Sequence, residues 1–417
     1  MKGLLHKRYF LSIGLLLSAI GISIAQTANI PENSSTTKGA GKSIEETALK
    51  LMLESPSFQS EIYSLQSMEA ELKTTSNLPD PELGGEYMVM PEDVDNRWTA
   101  QITWGLDWPG VYHAKGKEAK NRIDAADKAV YAQRVDKLTE IKDLLLDYIL
   151  CRQKCNLLNE LDKNNQEIYK LSEAKAENRE MHLLDLNKVK IEYSNIKNAL
   201  AALYLEESQI IGSLSEIYGK DCREILEKMD CRFPDIYIPA DLDIATVKAT
   251  APSIQTAMAE AETARQGKKV VKMEALPSLS IGYKHQFEDG MHFNGAVLGI
   301  SVPIFSSRGK KKAAEAQIIE ADYKVEITTE AIETEMKVLL NRLILLKQQI
   351  DEISPYVENI DYNTILLKAY EESLISLLDY ITERNYFTNA LIEFVALRHE
   401  AAKTRNGLNK YLQTYNF

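Results

Sequence analysis

The stretch Arg97-Trp98-Thr99-Ala100-Gln101-Ile102-Thr103-Trp104-Gly105-Leu106-Asp107-Trp108-Pro109-Gly110 alternates without a break as far as its proline. Trp98, Ala100, Ile102, Trp104, Leu106 and Trp108 fall on one face, and Thr99, Gln101, Thr103, Gly105 and Asp107 on the other, which is the period of a β-strand. All three tryptophans of the chain lie on the apolar face of this one strand. A half-buried strand of a soluble sheet alternates in the same way. Tryptophan repeated along one face, however, suits a lipid-facing barrel wall with aromatic residues at its interfaces. Upstream, residues 82–90 supply a partner strand across an acidic turn from Pro91 to Asn96.

The motif returns 194 residues later: Leu106-Asp107-Trp108-Pro109-Gly110 matches Ile300-Ser301-Val302-Pro303-Ile304. Leu183-Leu184-Asp185 and Leu377-Leu378-Asp379 keep that interval, as do Leu214 and Leu408. Two halves in one register over so long a stretch imply a duplicated unit whose long elements cannot change length. The second half holds its own strand pair, about 278–287 and 293–302. There Leu279, Ile281, Tyr283, His285 and Phe287 alternate with Ser280, Gly282, Lys284 and Gln286. Four strands cannot close a barrel, and an open sheet in lipid would leave unpaired edges in hydrocarbon, so partner chains must close it.

Each strand pair leads into a very long helix. From Val111 to about Lys175 there is no proline and no glycine but Gly116, and from Lys310 to about Leu374 only Pro355 intervenes. Some 65 residues at 1.5 Å each span roughly 100 Å, which suits a supercoiled bundle rather than a globular core. Ile141, Leu144, Tyr148, Cys151, Cys155 and Leu158 form a heptad seam, and Ile332, Met336, Leu339, Leu343, Leu346, Ile350 and Ile353 form a second. Return helices run from about Leu183 to Tyr218 and from Leu377 to Leu412, with bends near Glu177–His182 and Glu371–Ser376. Helical pieces at Ser43–Thr74 and Ser253–Met273 make up for the shorter return arms. The domain reading is therefore a first repeat at 43–218, an inter-repeat segment at 219–252 and a second repeat at 253–417.

Residues 1–25 have a basic start (Lys2, Lys7, Arg8), an apolar run and small residues before a cut after Ala25, as in a signal peptide. A flexible leader follows at 26–42. Export makes the formal charge more negative, from −12 to −15, because the removed segment carries three basic residues and no acid. That balance disfavours nucleic acid. No His-Glu-x-x-His, phosphate-cradling loop or nucleophile elbow is present, and the six histidines are scattered, so no enzyme and no cofactor is expected. Cys151 and Cys155 share a helix face but sit on the heptad seam, where cysteine packs as a small hydrophobe, so no metal site is expected. Cys222 and Cys231, in an oxidising compartment, are a candidate disulfide.

Leu276-Pro277-Ser278-Leu279-Ser280-Ile281-Gly282-Tyr283, Gly299-Ile300-Ser301-Val302-Pro303-Ile304-Phe305 and the segment from Tyr370 to Asp379 resemble the TolC-like outer-membrane efflux family over nearly the whole mature chain. Asp107-Trp108-Pro109-Gly110 and the compact length are similar to its CzcC-like heavy-metal branch. The resemblance implies an α+β membrane protein with a long α-helical coiled-coil barrel. It also implies a homotrimer whose protomers each give four strands to a twelve-stranded β-barrel in the Gram-negative outer membrane. Its helices would project into the periplasm and meet a periplasmic adaptor (membrane fusion) protein and an inner-membrane pump of the RND or another type. The expected lipid-facing residues are Trp98, Ile102, Trp104, Trp108, Leu279, Ile281 and Tyr283.

In such a trimer the tip acids Glu371, Glu372 and Asp379, with Glu177, Glu180 and Asp185 in the other repeat, would become rings of negative charge that concentrate cations. Read without the trimer, they are solvated helix-end charges. The family's usual tip glycine is missing, and Glu372-Ser373 and Arg179-Glu180 stand in its region. The expected function is a passive exit duct, of metal cations or alternatively of drugs or secreted polypeptide (type I secretion). The reading from another class is a periplasmic coiled-coil adaptor or scaffold without a barrel.

Overall fold

The computed structural model describes residues 42–417 apart from 92–95, 239–243, 306, 359–361 and 416. The expected signal peptide, nearly all of the leader and the centre of the Pro91–Asn96 turn lie outside the described residues. Helices α1 (Ile44–Leu53) and α2 (Pro56–Thr74) come first, followed by strands β1 (Glu82–Met88) and β2 (Arg97–Leu106). The helical stretch expected over Ser43–Thr74 is there as two helices. Ser55 caps α2 by accepting the Phe58 N–H at 3.2 Å, and Pro56, which has no N–H to give to α1, takes the first helical position.

Helix α3 (Pro109–Glu177) has 69 residues and spans about 100 Å. It returns as α4 (Leu183–Tyr218), which ends at Gly219 with φ of 77°. A Cβ at Gly219 would lie 2.7 Å from the Pro56 ring, so a left-handed residue without a side chain is required there. Short α5 (Arg223–Leu226) and α6 (Ile244–Thr250) lead to α7 (Pro252–Glu274). Strands β3 (Ser278–Glu288) and β4 (Met291–Ser301) precede α8 (Lys310–Val357), α9 (Tyr362–Glu371) and α10 (Leu377–Leu412).

Several expected boundaries move, β1 ending at Met88 rather than at residue 90 and β4 running from Met291 to Ser301 rather than over 293–302. Strand β2 ends at Leu106 rather than Trp108, because the Asp107 N–H leaves the ladder to donate to the Tyr112 hydroxyl at 2.9 Å and Trp108 becomes the residue capping α3. The long second helix expected from Lys310 to Leu374 stops at Val357, shortly after Pro355, which lacks the N–H that would bond one turn back.

The expected seams are buried except at Leu144, Leu339 and Ile353, which are half-buried. Ile332, Met336, Leu343, Leu346 and Ile350 pack with Ile254 of α7 and Phe394, Ala401 and Leu408 of α10. On α3 the stripe is wider than one heptad seam. Leu145 and Ile149 are fully buried beside Ile141, because α4, α7 and α10 all pack on this helix. Polar contacts register α3 against α10 in antiparallel order: Asp136 with Lys410 at 2.7 Å, Asp143 with Asn406 at 2.9 Å, and Asp147 with both His399 (2.7 Å) and Lys403 (3.1 Å).

The four strands form one antiparallel sheet in the order β1-β2-β3-β4, so β1 and β4 each keep one edge without a strand among the described residues. Helices α3 and α8 both start just after this sheet, which therefore sits at one end of the rods while the α3–α4 and α9–α10 bends sit in the long hairpins.

Candidate functional site

The α3–α4 and α9–α10 bends are built alike. At the first, the Arg179 N–H donates to the Ala176 carbonyl (3.1 Å) and the Glu180 N–H to the Lys175 carbonyl (2.8 Å). At the second, Ser373 donates to Tyr370 (3.0 Å) and Leu374 to Ala369 (2.9 Å). Each is a Schellman closure, which needs a left-handed residue one past the cap, and Arg179 and Ser373 occupy that position with φ of 59° and 58°. The next helices are capped by His182, whose Nδ1 accepts the Leu184 N–H at 3.2 Å, and by Ser376.

These contacts place the tip acids. Glu371 ends α9, Glu372 caps it through its N–H to the Lys368 carbonyl at 2.9 Å, and both carboxylates are exposed. Glu180, also exposed, closes the first bend, and Asp185 ion-pairs with Lys188 at 3.3 Å. Asp379 belongs to a capping box: its Oδ2 accepts the Ser376 hydroxyl (2.6 Å) and N–H (3.2 Å), and Ser376 Oγ accepts the Asp379 N–H (3.1 Å). The Ser376 donors hold this carboxyl below the usual aspartate range. Asp379 therefore has a structural task that Glu371 and Glu372 lack.

A buried polar contact ties the two hairpins together. The Arg384 guanidinium of α10 donates to Asn165 Oδ1 of α3 and lies over the Tyr380 ring, with its carbon 5.3 Å from the centroid. Asn385 donates to Glu192 of α4 at 2.8 Å. A cavity of about 310 Å³ opens beside Arg384, lined by Glu160, Asn164, Glu167, Tyr370 and Tyr380. Sequence reasoning missed this pair, yet a signal was present. Asn165 continues the spacing of Leu158 and Leu161, and Arg384 falls between Ile381 and Thr388, so each puts a polar side chain on an apolar seam.

In the sheet, the pairing gathers the expected apolar residues into continuous ladders. Leu106 pairs with Leu279 and Leu279 with Ile300; Trp104 with Ile281 and Ile281 with Leu298; Ile102 with Tyr283; and Trp98 with Phe287. Leu83 of β1, opposite Ile102, extends the face. Its residues are open to solvent in the isolated chain: Leu83 is 83% exposed, Leu298 77% and Ile300 71%. A contiguous apolar face of this kind is covered by something in the working protein. The opposite face carries Glu82, Glu86, Gln101, Thr103, Lys284 and Gln286. Trp108 stands apart from the ladders as the α3 cap.

The cysteines are all free. Cys222 and Cys231 are not bonded: the Cys222 thiol is buried within 3.3 Å of the Ser215 hydroxyl, while Cys231 lies near the Met229 carbonyl. Burial pushes the Cys151 thiol up to about 12 and its hydrogen goes to the Leu203 carbonyl at 3.1 Å, which keeps it protonated and packed. Among the described residues no cluster of three or more His, Cys, Asp or Glu converges on one point, and no helix is long and apolar enough to cross a membrane.

No family model matches the sequence, and no curated protein matches it. Solved structures do. The structure aligns with a membrane protein from Pseudomonas aeruginosa at a TM-score of 0.75 and 14% identity, covering 88% of this chain and 90% of that one. The CmeC outer membrane channel of Campylobacter jejuni aligns at 0.75 and 16%, covering 88% and 85%. The chain has the TolC-like outer-membrane channel fold. The open-state MtrE outer membrane channel of Neisseria gonorrhoeae also has it, at a TM-score of 0.69 and 12% identity over 88% of each chain. At these identities the likeness speaks for the architecture alone, and the TolC-like fold accounts for more of the chain than either hairpin could supply.

Proposed function

We propose that the chain is one protomer of a homotrimeric outer-membrane exit duct, passive and without catalysis, fed by a periplasmic adaptor and an inner-membrane pump. The observation that carries this reading is the sheet. It has one face that is apolar up to His285, Asn294 and His292 beside the β3–β4 turn, a largely polar opposite face and two edges that pair with no strand among the described residues, and it is joined to a helix about 100 Å long. Three such sheets joined edge to edge would form a twelve-stranded barrel with the ladders of Trp98, Ile102, Trp104, Leu279, Ile281 and Tyr283 against lipid and Gln101, Thr103 and Lys284 lining the lumen. Two repeats, 43–218 and 253–417, joined by 219–252, are the corresponding domain reading.

Metal cations are the proposed cargo, from Asp107-Trp108-Pro109-Gly110 and from the exposed Glu371 and Glu372, which a trimer would arrange as a ring. The test is growth of a deletion strain, with and without the gene restored, across metals, dyes, detergents and antibiotics, alongside membrane fractionation of the protein. Sensitivity confined to metals supports the metal duct, and sensitivity to many organic compounds makes it a general efflux duct. Recovery in the soluble periplasmic fraction as a monomer overturns the duct in favour of a scaffold.

A further inference from the structure

Two of the six histidines that look scattered along the chain, His285 and His292, meet in space. Asn294 pairs with His285 across the β3–β4 hairpin and His292 pairs with Phe287, so the two histidines are diagonal neighbours on one face of the sheet. His285 Nε2 lies 3.2 Å from His292 Nδ1, and the rings stack at 5.3 Å with an interplanar angle of 26°.

The neighbours prepare this pair. His285 Nδ1 sits 2.7 Å from Asn294 Oδ1, an oxygen that also accepts the Tyr283 hydroxyl at 2.5 Å. A carbonyl oxygen only accepts, so the His285 proton resides on Nδ1 and its Nε2 presents a lone pair to His292. This is the arrangement that orients a metal-ligating imidazole: one nitrogen held by a neighbouring amide oxygen, the other presented. Trp98, with its ring centroid 5.2 Å from His285, and Phe287, 5.0 Å from His292, wall the pair on the apolar face.

We propose that His285 and His292 form a two-imidazole site for a borderline divalent transition cation, Cu²⁺, Ni²⁺ or Zn²⁺, at the hairpin end of the sheet. With metal–nitrogen bonds of about 2.0–2.1 Å, two nitrogens 3.2 Å apart subtend about 100° at the metal. That lies between the square and tetrahedral angles these ions adopt. In the metal-free pair the His292 Nδ1–H donates to His285 Nε2. On binding, that proton passes through solvent to His292 Nε2, and a small rotation of the exposed His292 ring brings its Nδ1 lone pair to the shared apex. With no third protein ligand among the described residues, water completes the coordination. The bound cation cross-links β3 to β4 next to the turn and so pins the hairpin. This inference is independent of what the duct carries.

The test is Cu²⁺ binding to the purified full chain in detergent, by equilibrium dialysis and by electron paramagnetic resonance, with Ni²⁺ as a second probe. One Cu²⁺ per chain with hyperfine splitting from two imidazole nitrogens is expected, together with loss of at least tenfold in affinity in His292→Ala. His292 is exposed, so its removal leaves the fold intact. Asn294→Ala should weaken binding by a smaller factor while keeping the two-nitrogen signal, the mark of a positioning residue. Unchanged affinity in His292→Ala, or a spectrum without two imidazoles, overturns the site.

Discussion

Arg179 and Ser373 stand 194 residues apart and adopt the same left-handed backbone, with φ of 59° and 58°, each one residue past the C-cap of a helix that ends at a hairpin tip. An L-residue with a side chain is disfavoured there by roughly 1–2 kcal/mol. Arg179→Gly and Ser373→Gly should each stabilise the chain by about 0.5–1 kcal/mol after the entropy of a more flexible unfolded chain is subtracted. Denaturant midpoints check this, and a loss of stability in both variants would refute the Schellman assignment.

The capping box separates the tip acids by role. Ser376→Ala should cost about 1 kcal/mol. The Asp379 carboxyl is held below its ordinary 3.8, so its contribution is present above that value and lost as pH falls through the lowered folded value. Glu372→Gln should leave stability unchanged, because its side chain has no capping task. A fall in cation selectivity of single channels in Glu372→Gln is expected from the proposed ring. Unchanged selectivity removes Glu372 from the mouth.

Asp143 and Asp147 sit one turn apart on α3 and should respond oppositely to removal of their charge. Burial raises the Asp143 carboxyl above its ordinary value despite the Asn406 hydrogen bond. Burial also works on Asp147, but bonds from His399 and Lys403 outweigh it and hold the group low. Asp147→Asn should therefore destabilise at pH 7 by roughly 1–3 kcal/mol, since the Lys403 ammonium loses its charged partner and His399 loses a carboxylate acceptor. Asp143→Asn should be neutral or stabilising. The Asp147 contribution is complete above the unfolded value of 3.8 and fades below it, whereas acid relieves the Asp143 cost as pH falls through its raised value. Urea titrations of both variants at pH 7 and pH 3.5 would expose a common sign, which is the outcome that defeats this account.

The two faces of the sheet should tolerate charge differently. Leu298→Arg on the apolar face should cost about 2–4 kcal/mol once the sheet is in a bilayer, while Thr103→Arg on the polar face should assemble normally. Heat resistance of the folded oligomer on gels, after reconstitution into vesicles, distinguishes them. Equal tolerance would place the apolar ladders away from lipid.

Period and punctuation in the sequence determined the elements. The alternation from Arg97 to Leu106 made a strand, unbroken helix formers from Val111 onward made a 69-residue helix, and α4 and α10 run over the stretches their spacing marks. These features are local, because side-chain period and the absence of glycine or proline act within a few residues of chain. The tertiary structure alone decided what distant residues do together. It set Arg384 against Asn165 and His285 against His292, and left Cys222 and Cys231 unbonded. Those outcomes depend on the register of two strands and on the rotation of one helix about another, which are settled only when strands pair and the long rods pack.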